Sequence, residues 1–144
     1  MTTGALAGAT TELKVGDGAT PEVFTKIAEV TKINGFKLES TPVDASNHDG
    51  SGYEEMIMGL KKVGDITFDV NFVPTGATHG NSAGGLIHSW SNQELENYQL
   101  VFPDSGSTTW TVPAFVKSVE VKPDLKGKLG GTVVLTPSGA PTLA

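Results

Sequence analysis

Eight consecutive residues, Asp65 to Phe72, alternate without a break: Ile66, Phe68, Val70 and Phe72 fall on one side, Asp65, Thr67, Asp69 and Asn71 on the other. A helix turns about 100° per residue and would scatter these apolar side chains, whereas a strand puts every second residue on one face. The stretch predicts a β-strand with one dry and one wet face. The dry face obliges the rest of the chain to supply a layer that covers it.

Short apolar runs punctuated by turns continue along the chain. The 18 glycines and 8 prolines sit mostly between apolar segments, which favours many strands with tight turns over a helical bundle. Residues 23–33 are rich in β-branched side chains, and the Asn34-Gly35 pair after them predicts a hairpin with residues 36–39. A turn cluster at 74–81 precedes the one expected helix, capped by Asn81 or Ser82, with Ala83, Leu86, Ile87 and Trp90 at spacing i, i+3, i+4, i+7. Gly84 and Gly85 weaken that helix by up to about 1 kcal/mol each, so packing of its stripe must hold it, with a buried Trp90 as anchor. Strands are expected at 97–102, 108–122 and 129–136. Pro113 cannot donate to a ladder, which predicts a bulge or an edge there. The expected core comprises Ile66, Phe68, Val70, Phe72, Leu86, Ile87 and Trp90. The expected organisation is a polar arm over residues 1–20, mobile unless something docks on it, one mainly β domain over 21–137, and a tail over 138–144 that continues no regular element.

Charge and cysteine content narrow the function. Sixteen acidic against ten basic residues give a formal charge of −6, and every basic residue is a lysine. Without arginine there is no guanidinium fork to grip phosphates or read guanine edges, so tight nucleic-acid binding is not expected. The absence of cysteine rules out a disulfide framework and a thiolate metal site. No apolar run approaches membrane-spanning length, and residues 1–18 lack the basic start and apolar stretch of a signal peptide. The expectation is a soluble protein folded inside the cell, with no membrane partner.

Candidate chemistry is sparse. His48, His79 and His88 lie on different elements with no metal-ligand spacing, and read as isolated packing or polar residues. Ser82, His79 and Asp104 could be drawn as a triad, but no G-x-S-x-G elbow supports it. Gly50-Ser51-Gly52 and Gly127-Lys128 complete no phosphate-cradling pattern. Glu54, Glu55 and Asp49 depart from the calcium-loop spacing, so a solvated or subunit-facing acidic loop is the simpler account. No catalytic, cofactor or metal residue is therefore expected. The wet face at Asp65, Thr67, Asp69 and Asn71 is an ordinary solvated sheet face unless many copies ring an axis, when its carboxylates would form a wall that repels a polyanion.

Three features together resemble the lambda-type major tail proteins, the tail tube proteins of phages with long non-contractile tails. They are residues 44–59 leading into Leu60-Lys61-Lys62-Val63-Gly64-Asp65-Ile66-Thr67-Phe68, the strand–turn–helix run through Trp90, and the closing strand ending Leu135-Thr136-Pro137-Ser138-Gly139-Ala140-Pro141-Thr142. The resemblance implies a β-sandwich or rolled barrel with one flanking helix and long loops. It implies a non-enzymatic virion protein, assembled in the host cytoplasm, whose hexameric rings stack into a negatively charged conduit for DNA ejection. Its partners would be other copies of itself and the tape measure, tail terminator and tail-tip proteins, with DNA passing through without specific binding. Asp65, Thr67, Asp69 and Asn71 would face the lumen, and a loop bearing Asp44, His48, Asp49, Tyr53, Glu54, Glu55, Lys61 and Lys62 would order against neighbouring subunits or rings. The competing reading is a β-sandwich binding module, carbohydrate-binding or adhesin-like, with Trp90, Trp110, Tyr53 and Tyr98 as its platform.

Overall fold

The computed structural model describes residues 11–34, 37–46, 52–123 and 127–143. These residues form β1 (Glu12–Gly16), β2 (Phe24–Lys26), β3 (Val30–Asn34), β4 (Leu38–Asp44), β5 (Met56–Val63), β6 (Ile66–Asn71), α1 (Leu86–Ser91), β7 (Glu96–Val101), β8 (Thr109–Lys122), β9 (Gly130–Pro137) and β10 (Thr142–Leu143). One antiparallel sheet runs β2-β1-β7-β8-β9-β6-β3, with β10 added to β8, and β4 and β5 pair separately. The strands β2 and β3 stand at opposite ends of that order yet are joined by residues 27–29 alone. That link draws the two ends together and rolls the sheet into a barrel. Within it, Ile27 is fully buried and donates its N–H to the Leu13 carbonyl at 2.9 Å, and Glu29 turns the chain with a φ of 59°.

The alternation of Ile66 to Asn71 is realised in β6, whose Ile66, Phe68 and Val70 are buried while Thr67, Asp69 and Asn71 stay half-exposed. Opposite them across the roll lie Leu13 and Val15 of β1 and Tyr98 and Leu100 of β7. Val112, Ala114 and Val116 of β8 and Val133 and Leu135 of β9 complete a single cluster, and Phe72 packs at its margin.

The 14-residue β8 serves both walls of the barrel: Thr109 to Ala114 pairs with β7, Ala114 to Lys122 with β9, and its bulge falls between Val116 and Ser118. Pro113 therefore sits neither at an edge nor at the bulge, as expected from sequence, but inside a central strand. Its carbonyl accepts the Ser138 N–H at 2.8 Å, and since a strand residue's N–H and C=O point the same way, its missing N–H faces the gap where β10 gives way to β9 as the neighbour of β8. No ladder bond is lost there.

Four further expectations change. Residues 12–16 of the expected arm are a strand, because Leu13 and Val15 bury 99% and 94% of their surface between β2 and β7. The C-terminal Thr142 and Leu143, expected to continue no element, pair with Thr111 and Trp110. Asn34-Gly35 does not close the expected hairpin: β3 pairs with β6, and β4, which holds residues 38 and 39, pairs with β5. The helix is only six residues long. It starts at Leu86, after Ala83, and no side chain caps it. Its first amides bond to the carbonyls of Thr78, His79 and Gly80 at 3.0–3.3 Å. This main-chain cap requires Gly85, because a Cβ there would overlap the Gly80 carbonyl oxygen. Leu86 is buried and Ile87 half-buried, but Trp90 is 52% exposed, a surface residue and not the anchor.

Candidate functional site

Four features of the surface carry information. The first is the two-stranded ribbon of β4 and β5. β4 and β5 leave the barrel together, and apart from Glu39 and Val63 every one of their residues is exposed. Register places Leu38, Pro42, Met56, Met58 and Val63 on one face, with Val43 and Ile57 on the other. Between Ser40 and Pro42 the register shifts, so Gly59 and Leu60 oppose Thr41 alone. Leu60 is 85% exposed, and Tyr53 at the tip 81%. The segment expected as a loop is thus a hairpin: Asp44 lies in β4, Lys61 and Lys62 lie in β5, and Glu54 and Glu55 lie at the exposed tip. His48 and Asp49 fall outside the described residues. A lone two-stranded ribbon is marginal in water at best, and an apolar one projecting from a folded body marks an interaction surface.

The second feature is the wet face of β6. Thr67, Asp69 and Asn71 share it with the adjoining Asp65, as alternation requires. The structure adds lysines that sequence reasoning left out. Lys117 Nζ lies 3.2 Å from Asp65 Oδ2, and Lys32 is the register partner of Asp69. Asp69 also accepts a hydrogen bond from Thr132 Oγ1 at 2.9 Å, and Asn71 Nδ2 donates to Glu29 at 3.1 Å. Glu120, register partner of Thr132, lies 3.9 Å from Lys122. This face is charge-mixed and largely paired, not uniformly acidic.

The third is a carboxylate cluster at the rim from which the ribbon departs, formed by Asp17, Glu22, Glu94 and Glu96. Glu22 is held by the Gly18 N–H and Asn97 Nδ2, both at 2.9 Å. Asp17 accepts the N–H groups of Ala19 and Val23 at 2.9 and 3.1 Å, which lower its pKa. The Glu96 carboxyl is pushed up to about 7, first by burial, then by its hydrogen bond to Glu94 and the charges of Glu94, Glu22 and Asp17. Beneath it Tyr98 is completely buried and its Oη has no hydrogen-bond partner. Burial, and then the charges of Glu96 and Glu94, raise the Tyr98 pKa, against a small opposing effect of the Ser89 hydroxyl. Among the described residues none of the four carboxylates is paired with a lysine, and His88 Nδ1 lies 3.6 Å from Glu94. Scattered over 80 residues of sequence, this cluster carries no local signal.

The fourth is a cleft of about 670 Å³ beside it, lined by Trp90, Gln93, Phe115, Lys117 and Thr136.

The drawn triad does not assemble. His79 is fully buried, accepts the Val73 N–H at Nδ1 (3.1 Å) and donates from Nε2 to the Ala28 carbonyl (2.6 Å). It also stacks on Phe72 with centroids 5.9 Å apart. Its role is to tie the turn after β6 to the β2–β3 link. Asp104 is spent on the N–H and hydroxyl of Thr108, which lower its pKa. Among the described residues, no three His, Cys, Asp or Glu side chains are placed to hold a metal ion. No helix among them is long and apolar enough to cross a membrane. Nor do the four aromatics of the binding-module reading share a platform, since Tyr98 is core and Trp110 packs edge-on against Phe102 at 5.1 Å.

The family profile of the lambda phage tail tube protein, TTP, matches residues 10–144. The chain belongs to that family. It is a structural tail tube protein of the virion tail. Solved tail structures share the fold of this tail tube protein. A chain from the tail of an empty gene transfer agent particle, refined with C6 symmetry, superposes with a TM-score of 0.76 at 16% identity, over 97% of this chain and 99% of that one. A chain from the sheath/tube terminator of an extracellular contractile injection system gives 0.70 at 15%, over 99% of both chains. The SPP1 tail tube gives 0.66 at 10%, over 94% of this chain and 77% of that one. No curated protein matches the chain in sequence.

Proposed function

We propose that copies of this chain join head to tail into rings, six to a ring, and that the rings stack into the tube through which DNA leaves the capsid. The observation that carries this reading is the β4–β5 ribbon, which offers apolar side chains on both faces and, beyond a root that faces the Gly139–Leu143 segment, is covered by no other described residues. A contact between one such projection and a different patch of the next subunit is heterologous, and closes only as a ring. The C6 symmetry of the gene transfer agent tail, a structure of the same fold, supports six.

In this reading the wet face of β6, with Asp65, Thr67, Asp69 and Asn71, lines the lumen. A chain of charge −6 repeated about an axis repels a polyanion. Lysines already paired, as Lys117 is with Asp65, offer phosphates no free ammonium, so DNA slides without being bound. The role asks for no catalysis. A tube of fixed length also needs proteins that start, measure and end it, which makes tail-tip, tape measure and terminator proteins the further partners, and the assembly site the host cytoplasm. The test is negative-stain electron microscopy of the concentrated protein with light scattering on the same sample. Hollow rings or tubes of uniform diameter are expected; a monomer that stays featureless even with isolated tail tips would refute the reading.

A further inference from the structure

The ribbon and the carboxylate cluster belong to the same rim of the barrel. Register sets Glu96 beside Ala114, Ala114 beside Pro137, and Leu135 beside Ile66, so the start of β7, the end of β9 and the root of the ribbon all meet that rim. Yet they stand on opposite flanks, because β1 and β7 lie on one side of β8 and β6 and β3 on the other. Each protomer thus has a projection on one flank and a recessed surface on the opposite flank.

The chemistry along the two runs in opposite order. From root to tip the ribbon is basic (Lys61 and Lys62, with Lys37 already paired to Glu39 at 2.6 Å), then apolar (Met58, Ile57, Val43), then acidic (Asp44, Glu54, Glu55). From the β1 flank inward the rim is acidic (Asp17, Glu22, Glu94, Glu96), then apolar at the Trp90–Phe115 cleft, then basic at Lys117, itself already paired with Asp65 at 3.2 Å. Among the described residues neither Lys61 nor Lys62 has an ion pair within 4 Å, although the charge of Lys62 acts on Glu39, and no lysine lies within 4 Å of the four carboxylates. A second feature lies at the acidic end: the buried Tyr98 Oη beneath Glu96 completes no hydrogen bond of ordinary geometry, though the Ser89 hydroxyl is near enough to act on it.

Resting on the ring reading above, we propose that this rim is the seat for the ribbon of a second copy. Lys61 and Lys62 of that copy meet Glu94, Glu96 and Glu22, and its Met58 enters the Trp90–Phe115 cleft. An ammonium among the carboxylates neutralises a crowd that a single protomer leaves uncompensated, and the aromatic cleft desolvates the neighbouring apolar contacts.

The test is charge exchange between the two surfaces. Glu94→Lys with Glu96→Lys, and separately Lys61→Glu with Lys62→Glu, should each leave a folded monomer by circular dichroism and raise the concentration needed for assembly about tenfold or more. The four changes combined should restore assembly. Carbodiimide cross-linking between isotope-labelled and unlabelled wild-type chains should join Lys61 or Lys62 of one copy to Glu94 or Glu96 of the other. Wild-type tubes that persist through either reversal, no rescue in the combined variant, or cross-links confined to other carboxylates would overturn the proposal while leaving the ring reading intact. A wild-type chain that forms neither rings nor intermolecular cross-links would overturn both.

Discussion

Two strand pairs joined end to end behave in opposite ways. β3–β6 and β4–β5 are both antiparallel pairs, β5 leading into β6 through Gly64 and Asp65, and both carry β-branched or large apolar side chains. In the first pair Phe68 and Val70 are 1% and 3% exposed; in the second Met58 and Leu60 are 64% and 85% exposed. Strand pairing is therefore not what distinguishes them. The barrel pair shares one core with β1 and β7, while the distal pair, beyond a root that faces residues 139–143, is covered by no other described residues. Its apolar side chains are spare capacity, which only another molecule can use.

That contrast makes the largest prediction the sharpest. Phe68→Ala empties a packed site and should cost about 3–5 kcal/mol in urea unfolding. Ile57→Ala, an apolar deletion in the ribbon, should change monomer stability by no more than about 0.5 kcal/mol. Similar losses from both would erase the distinction. Of comparable size is His79→Leu, which strands the Val73 N–H and the Ala28 carbonyl; at about 1–3 kcal/mol per orphaned group it should cost about 2–6 kcal/mol by thermal unfolding. Gly85→Ala forces α1 away from Gly80 and should cost about 1–3 kcal/mol, without touching the ribbon.

The smallest effect concerns the rim. The folded Glu96 carboxyl titrates at about 7 against an ordinary value of 4.5, so between those values the folded chain holds a proton that the unfolded chain has released. Its contribution to stability therefore falls as pH rises through that window. Glu96→Gln should raise the melting temperature at pH 8 and leave it unchanged at pH 4. Asp17 and Asp104, whose pKa values are lowered, act the other way: their contribution is lost only as pH falls below the ordinary carboxylate range. An unaltered melting temperature at pH 8 would mean that Glu96 is not crowded as described.

How much of this was legible in the sequence follows from where each signal resides. β6 was readable because its period-2 pattern is local, and β7 to β9 fell within about one residue of their expected bounds. The Asn34-Gly35 signal misled because a turn dipeptide marks a change of direction without saying whether the strands on either side pair with each other. β1 was hidden because only Leu13 and Val15 stand out in a small, polar stretch, and their burial is decided by β7, more than 80 residues away. Trp90 fitted a helical stripe that a six-residue helix, capped by carbonyls and not by Asn81 or Ser82, does not bury. The lumen candidates shared a face as alternation demanded, but the lysines beside them come from β3 and β8 and needed the register to be seen. The Glu94–Glu96–Tyr98 rim was invisible for the same reason.

Amide hydrogen exchange of β4 and β5, compared between monomer and assembled tube, tests the central claim most directly. Residues 38–44 and 56–63 should exchange rapidly in the monomer, while β6, β8 and β9 stay protected, and should slow to barrel-like rates once the tube forms. Ribbon amides that exchange as fast in the tube as in the monomer would contradict the account, because the apolar ribbon would then have no neighbour to cover it.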